Sequence, residues 1–293
     1  MIMPKDWSVA DLGLGVLRAQ GADARSFLQG QLSNDVTTLQ PGQLQWSGYH
    51  NPQGRVIALL RLTALAADDV LAVLPRELAA AVAARLKRFV LRAKVQITDA
   101  SRQWRVLAAP QVRPDLPPGV LALPHGRSRQ LLLVPQHADE APQLDSPAAA
   151  QVRRDWLAHD IAEGLPQVYL VTSEAFVAQM LNLDLIGAIA FDKGCYTGQE
   201  IIARAHYRGQ VKRRMQRFVS AAAARLTPGE TVRLPDGRSC RIVEAVQRAD
   251  GRCEFLGVAP FSGATEAQAD AAGAALDATA LELPYALPPL QVD

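Results

Sequence analysis

The apolar positions of the first hundred residues change their period several times, and each change predicts a different element. Five strands and two helices are predicted there: a strand at 15–18, a helix at 22–32, a hairpin within 44–63, a strand at 70–74, a helix from 75 to about 91 and a strand at 94–98. The hairpin is centred on Asn51-Pro52-Gln53-Gly54, whose residues a type I turn favours. The order β-α-β-β-β-α-β predicts a mostly antiparallel sheet with helices on one face, which is the α+β class.

The remaining pattern predicts a second sheet and a separate β-rich C-terminal part. Strand-like runs at 106–109, 120–123 and 131–134 form the second sheet or extend the first, and a helix at 148–159 ends before Gly164. After Arg217, short strands alternate with turns at 228–229, 235–237 and 250–251, which is typical of a small antiparallel barrel or sandwich. The Ala-rich stretch 264–280 is predicted to be a surface helix or loop, followed by a tail at 283–293. We therefore predict an α+β lobe at 1–100, a second at 101–217, separate or interleaved with the first, and a β-barrel at 218–293.

Composition narrows the class of protein without changing this architecture. The chain has 31 basic and 29 acidic residues, so its net charge of +2 is too small for a protein coated in nucleic acid along its length. No apolar run reaches the 18 residues of a spanning helix, and the N-terminus has no secretory pattern, so we expect a cytoplasmic protein that does not enter a membrane. Three cysteines without a C-x-x-C pair predict neither a disulfide framework nor a metal site.

Candidate chemistry concentrates in the segment 181–217. Thr197 and Glu200 match a T-x-x-E capping box, which predicts Thr197 as the N-cap of a helix. Cys195 then lies two residues before the helix and two residues after Lys193, and both neighbours favour the thiolate form. A cysteine so placed suits nucleophilic, redox or cluster-handling chemistry. The alternative for Cys195 is a small buried apolar residue, and that interpretation is the stronger one for Cys240 and Cys253.

The same segment contains a local excess of basic residues. Six arginines and lysines and one histidine occur without an acid between residues 204 and 217, namely Arg204, His206, Arg208, Lys212, Arg213, Arg214 and Arg217. This patch could hold an anionic ligand or a phosphate backbone, or its lysine and arginines at 212–214 could simply form a solvated strand edge. Tyr196 and Tyr207 could stack on an aromatic ligand or serve in packing. The other histidines, at 50, 125, 137 and 159, are predicted to be surface or capping residues.

One run of residues resembles a known family. The sequence K-G-C-Y-T-G-Q-E at 193–200, followed by Arg204 and by Tyr207-Arg208-Gly209, is similar to the signature of YgfZ-type folate-binding proteins, relatives of the T-protein (aminomethyltransferase) of the glycine cleavage system. Supporting similarity lies at 27–30, 34–36, 51–55 and 181–184. The resemblance spans about residues 15 to 217, and the rest matches only as a β-rich domain.

The resemblance implies a three-lobed aminomethyltransferase-like fold around a channel that binds tetrahydrofolate. It also implies a role in iron-sulfur cluster assembly or repair, with an indirect effect on tRNA modification and with assembly proteins or cluster-containing enzymes as partners. By this resemblance, Asp184 of L-N-L-D looks like the position of the T-protein acid that contacts the pterin. An acid there has a physical rationale, because a carboxylate can accept two hydrogen bonds from the amino-pyrimidinone edge of a pterin. The alternative is a surface Asp at a helix end. Further expected roles are those of Lys193 in favouring the Cys195 thiolate, and of Tyr196, Arg204 and Arg208 in contacting the folate.

The departure from the T-protein concerns catalysis. That family carries a catalytic aspartate in the strand after the first turn, whereas the matching residues 54–60 contain no acid. Aminomethyl transfer is therefore not favoured, and whether the protein is an enzyme stays open. Two alternatives remain: a folate-dependent one-carbon transferase, and an RNA-binding protein that uses the basic patch, although direct nucleic-acid binding is not expected.

Overall fold

The computed structural model describes residues 8–136, 144, 146–208, 211–261 and 273–288. The chain forms two compact units, and each unit consists of segments that are separated in sequence. Unit 1 comprises Met1–His50, Ile57–Trp156 and Ala188–Thr197, and unit 2 comprises Asn51–Val56, Leu157–Gly187 and Gly198–Asp293. The segment boundaries at residues 100 and 217 stay a prediction.

The elements follow the predicted order with small shifts in their ends. The first two-thirds of the chain contain β1 (Ala10–Asp11), β2 (Leu14–Gln20), α1 (Ala24–Gln29), β3 (Gln45–His50), β4 (Val56–Ala66), β5 (Asp69–Pro75), α2 (Arg76–Lys87), β6 (Gln96–Asp99), β7 (Trp104–Ala109), β8 (Leu121–His125), β9 (Arg129–Pro135) and α3 (Pro147–Ala162). The rest contains α4 (Gln199–Tyr207), β10 (Arg213–Ala223), β11 (Thr231–Arg233), β12 (Ser239–Gln247), β13 (Arg252–Pro260), β14 (Ala274–Ala275) and β15 (Ala278–Leu281). Short 3₁₀ turns lie at Val36–Thr38, Leu170–Thr172 and Ala178–Leu181.

Unit 1 contains two sheets that share a core. The first has the order β3-β4-β5-β2-β6, and the second has the order β1-β7-β9-β8. Strand β5 is buried along its whole length because Leu71 and Val73 pack among residues of the second sheet, such as Leu131. Helix α2 covers the first sheet at Gly15, where a Cβ would lie 3.1 Å from the Cα of Arg76. The predicted antiparallel α+β order is therefore confirmed, and β1 is an additional strand.

Unit 2 contains a six-stranded sheet that curls into a half-barrel, with the order β14-β11-β12-β13-β10-β15. Its core includes Phe218 and Phe255, whose rings stack at a centroid distance of 5.3 Å. The predicted turns are confirmed: Gly229, Gly237 and Gly251 have φ values of +89°, +86° and +82°, which glycine tolerates.

The prediction of a helix or loop for the Ala-rich stretch is wrong where the structure describes it. Residues 274–275 form β14 and residues 278–281 belong to β15. The reason is tertiary, because β14 pairs with β11 and β15 pairs with β10, whose edge amides and carbonyls need partners. Residues 264–272 lie outside the described ranges. Within those ranges, we find no helix both long and apolar enough to cross a bilayer.

Candidate functional site

The segment that leads to Cys195 is tied to residues 29–34 within unit 1. The Nζ of Lys193 donates to the backbone carbonyl oxygens of Gln29, Leu32 and Asn34, at 2.8, 2.6 and 2.8 Å. An ammonium has three hydrogens, and these oxygens accept all three. Gln29 is the last residue of α1, so Lys193 also satisfies a carbonyl that a helix C-terminus leaves without an intrahelical partner.

Ser33 adds two more links between the same two segments. Its hydroxyl donates to the carbonyl oxygen of Ala188 at 2.7 Å, and its own carbonyl accepts from the amide of Ala190 at 2.9 Å. Ser33 is completely buried, which protects these hydrogen bonds from exchange with water. Residues 188–193, which we call the anchor segment, are therefore attached at five points to 29–34, a stretch that overlaps two of the supporting motifs, at 27–30 and 34–36.

Burial shapes the electrostatics of the anchor segment. It lowers the pKa of Lys193 to about 8, and the nearby charge of Asp35 opposes that shift. The same ammonium lies 5.1 Å from the ring centroid of Tyr196. Tyr196 is 7% exposed, its ring centroid is 6.2 Å from that of His50, and burial raises the pKa of its hydroxyl to about 12. The structure thus brings Lys193 and Tyr196 together, with Tyr196 in the interior of unit 1.

The three cysteines have different environments. Cys195 is exposed, whereas Cys240 and Cys253 are buried in the half-barrel. The interpretation of Cys195 as a buried apolar residue is therefore wrong, and that interpretation is confirmed for the other two. Burial raises the pKa of the Cys240 thiol to about 12, although Arg238 opposes the shift. Cys195 is therefore the thiol that a reagent or partner can reach in the folded protein.

The predicted capping box at Thr197 and Glu200 is wrong. Helix α4 begins at Gln199, its N-cap is Gly198 with φ +83°, and no side chain caps it. A Cβ at Gly198 would lie 2.5 Å from the carbonyl oxygen of Asn51, so both the left-handed backbone and the close approach require glycine. Tertiary contact with the 51–54 turn, rather than a local capping motif, determines where the helix starts.

The 51–54 turn is built around Asn51, which is buried. Its Oδ1 accepts from the amides of Gln53 and Arg55, both at 3.0 Å, and its Nδ2 donates to Oε2 of Glu174 at 2.7 Å. Sequence reasoning missed Glu174, which has φ +60° and whose position no local pattern indicated. The N-P-Q-G-R and T-G-Q-E motifs are far apart in the chain, and they meet within unit 2 where Gly198 lies against Asn51 and Gly54.

Asp184 has an arginine partner that sequence reasoning missed. The guanidinium of Arg214 donates to both of its carboxylate oxygens, at 2.9 and 2.8 Å, and each side chain is only 5% exposed. The alternative of a surface Asp is therefore wrong, and so is the solvated-edge interpretation for Arg214. Alternate residues of β10 face opposite sides, so Arg213 is exposed while Arg214 points inward.

A polar network extends from this ion pair. Asn182, at φ +56°, accepts from Arg214 at 3.3 Å and donates from Nδ2 to the carbonyl oxygen of Met215 and to the hydroxyl of Tyr285, at 2.9 and 3.3 Å. Tyr285 donates in turn to the carbonyl oxygen of Gly164 at 2.8 Å, and burial raises its pKa to about 12. Asn182 belongs to the L-N-L-D motif at 181–184, whereas no pattern in the tail at 283–293 indicated that Tyr285 would take part.

The other predicted ligand-contact residues lie on α4 or just beyond it. Arg204 and Arg208 are exposed in unit 2, as is Tyr207 at 67%. The basic patch has fewer unpaired charges than the sequence predicts. Arg217 donates to Glu254 at 2.7 Å, and Arg214 is paired with Asp184.

Two of the histidine predictions are wrong. His50 and His125 are buried, and His125 stacks on Trp156 at a centroid distance of 4.8 Å. Ring packing, which sequence periodicity does not reveal, explains the burial of His125. His159 is exposed as predicted, and His137 lies outside the described residues.

Comparison with known proteins gives relatives over most of the chain. A "tRNA-modifying protein YgfZ" of Edwardsiella ictaluri is 34% identical over 262 residues, which cover 80% of this chain and 78% of the relative. A protein of the same name from an Enterobacter species is 31% identical over 277 residues, with coverages of 86% and 82%. The crystal structure of the glycine cleavage system aminomethyltransferase T from Bartonella henselae superposes with a TM-score of 0.65 at 16% identity, over 86% of this chain and 78% of the other. This likeness confirms the predicted aminomethyltransferase-like fold. No protein-family model matches the chain.

Proposed function

Since the chain belongs to the family of YgfZ tRNA-modifying proteins, we propose that it binds tetrahydrofolate and supports iron-sulfur cluster assembly or repair in the cytoplasm, and thereby tRNA modification. The observation that carries the proposal is the exposed thiol of Cys195, two residues after the end of the anchor segment. Its partners are iron-sulfur assembly proteins or cluster-containing enzymes.

The placement of Cys195 supports a chemical role for its thiol. Cysteine is among the residue types most often buried, and exposed thiols are open to oxidation. An exposed cysteine in a loop that follows a heavily hydrogen-bonded segment therefore favours a functional role for its thiol. A thiolate is a soft ligand for iron and a nucleophile for sulfur transfer, and both actions need access to a partner.

The acceptors around Arg214 fit the pterin edge of a reduced folate, which offers N–H donors. Each oxygen of Asp184 accepts one N–H from Arg214 and keeps a second lone pair. Gln179 Oε1 is buried and accepts no hydrogen bond from the described residues, while the Gln179 backbone oxygen accepts from Arg214 at 3.2 Å. A buried acceptor without a donor costs free energy, and a ligand N–H would relieve that cost. A folate bound there supplies a one-carbon carrier, and Asp184 and Gln179 orient it.

The two alternative functions have less support. A one-carbon transferase of the T-protein type needs an acid at the start of β4, where residues 56–60 are buried and apolar. RNA binding through the basic patch is weakened because Arg214 and Arg217 are already paired with Asp184 and Glu254.

The role of the cysteine is tested in cells that lack the protein. Thiolated tRNA nucleosides are measured by mass spectrometry after complementation with the wild type, Cys195→Ser or Cys253→Ala. We expect Cys195→Ser to abolish complementation and the matched control Cys253→Ala to retain it at equal protein level. Full complementation by Cys195→Ser would refute the reactive-cysteine proposal.

Folate binding is tested by anaerobic calorimetry with tetrahydrofolate. Asp184→Asn should weaken binding by about 10- to 150-fold, the equivalent of a charge-assisted hydrogen bond of roughly 1.5–3 kcal/mol. Asp250→Asn, at an exposed turn of unit 2, is the matched control and should bind as the wild type does. Absence of binding by the wild type would remove folate from the proposal.

A further inference from the structure

We propose that Lys193 is a positioning residue, which fixes the Cys195 thiol by anchoring the segment before it to residues 29–34. The inference rests on the proposed role of Cys195 and adds the way in which its thiol is held. The sequence had instead predicted that the charge of Lys193 favours the Cys195 thiolate.

The hydrogen bonds of Lys193 favour anchoring over activation. Its three N–H groups are all donated to backbone carbonyl oxygens at 2.6 to 2.8 Å, which leaves none to donate to a thiolate. The partners at Gln29, Leu32 and Asn34 converge on one point, a geometry that a tetrahedral ammonium satisfies and a planar guanidinium does not.

The position of Cys195 makes the anchor effective. Two residues span at most about 7 Å of extended chain, so fixing Lys193 confines the thiol to a small region. The groups around the ammonium are the three carbonyls, the Tyr196 ring and the carboxylate of Asp35. Because Ser33 holds the same segment at Ala188 and Ala190, the loss of Lys193 should loosen the end near Cys195 first.

Three variants separate anchoring from electrostatic activation. Lys193→Met keeps the length of the side chain and removes both its charge and its donors. Lys193→Arg keeps the charge but cannot place three donors on the carbonyls. Lys87→Met, at the exposed end of α2 in unit 1, removes one positive charge elsewhere and is the matched control.

The first readout is the mobility of a nitroxide label on Cys195, measured by electron paramagnetic resonance on the purified protein. Because Cys240 and Cys253 are buried, the label reports on this loop. We expect sharper lines, and thus a more mobile label, for both Lys193→Met and Lys193→Arg, with Lys87→Met like the wild type. Spectra of both Lys193 variants identical to the wild-type spectrum would overturn the proposal.

The second readout is the pH profile of Cys195 alkylation by iodoacetamide. Anchoring predicts the same midpoint in the wild type and in both Lys193 variants. A midpoint that rises in Lys193→Met but not in Lys193→Arg would show electrostatic activation and overturn the proposal. Should Lys193→Met fail to fold, Lys193→Gln, with two donors, replaces it. Neither readout needs folate or tRNA, so failure of the proposed function, seen as complementation by Cys195→Ser, is distinguishable from failure of the anchor.

Discussion

Replacing Arg214 by methionine is the sharpest test of the ion pair in unit 2. The substitution keeps much of the aliphatic volume and removes both N–H groups that hold Asp184, at 2.9 and 2.8 Å. It also removes the donor to Asn182 Oδ1. Because both charged side chains are 5% exposed, water cannot replace the guanidinium, and the carboxylate remains buried without its partner.

The magnitude follows from the burial of the pair. Removing one partner of a buried ion pair costs about 3–5 kcal/mol, mainly because the other charge is left uncompensated. We therefore expect Arg214→Met to lower the free energy of unfolding by about that amount. Adding Asp184→Asn removes the uncompensated charge, so the double variant should be more stable than the single one by about 1–2 kcal/mol.

The assay must report on unit 2. The tryptophans that the structure describes, Trp46, Trp104 and Trp156, lie in unit 1. Urea unfolding is therefore followed by far-ultraviolet circular dichroism, with fluorescence as the readout for unit 1. Arg252→Met is the matched control, since the Arg252 and Asp250 side chains are 41% and 49% exposed and the substitution should leave stability unchanged. A loss below about 1 kcal/mol for Arg214→Met would refute the reasoning.

Three further predictions follow from burial and backbone geometry. In the folded protein Ellman's reagent should modify Cys195 rapidly, while Cys240 and Cys253 react only on unfolding; a second fast thiol would contradict this. Burial raises the pKa of Cys240 to about 12, so the unfolded state loses the thiol proton at lower pH than the folded state. The free energy of unfolding should therefore fall as pH rises above about 9. Cys240→Ala should reduce the slope of that fall, measured by denaturant titration at several pH values, by about 1.4 kcal/mol per pH unit. Gly198→Ala should lower the melting temperature more than Gly237→Ala does. Both glycines have a positive φ, but an added Cβ would collide with backbone at Gly198 and meet no atom at Gly237. Equal decreases in melting temperature for the two variants would contradict this reasoning.

Local sequence was sufficient for most of the architecture. The apolar pattern predicted the strands of both sheets in unit 1 except β1, and asparagine, aspartate, proline and glycine predicted the 51–54 turn and the turns of the half-barrel. These features depend on near neighbours in the chain, since side-chain alternation and backbone preference are properties of a few consecutive residues. The burial of Cys240 and Cys253 was also predicted, whereas the sequence left a reactive loop cysteine and a buried apolar residue as alternatives for Cys195.

Predictions failed where a distant residue decided the outcome. The T-x-x-E pattern predicted Thr197 as the N-cap, yet the carbonyl of Asn51 approaches so closely that Gly198 is the N-cap and the helix begins at Gln199. Likewise, His125 has no local signal for burial and is enclosed by tryptophan rings from other segments of unit 1.

The sequence by itself determined most element types, the predicted turn positions and the run K-G-C-Y-T-G-Q-E that indicated the family; β1, β14 and β15 are the exceptions. Only the tertiary structure decided which groups those motifs contact. Lys193 donates to backbone carbonyls, one of which is at the end of α1, and Asp184 accepts from the guanidinium of Arg214. The physical reason is that periodicity reports which face of an element is apolar, whereas a hydrogen bond or ion pair needs two atoms within about 3 Å. Chain segments remote in sequence reach that distance only when the sheets and helices have packed.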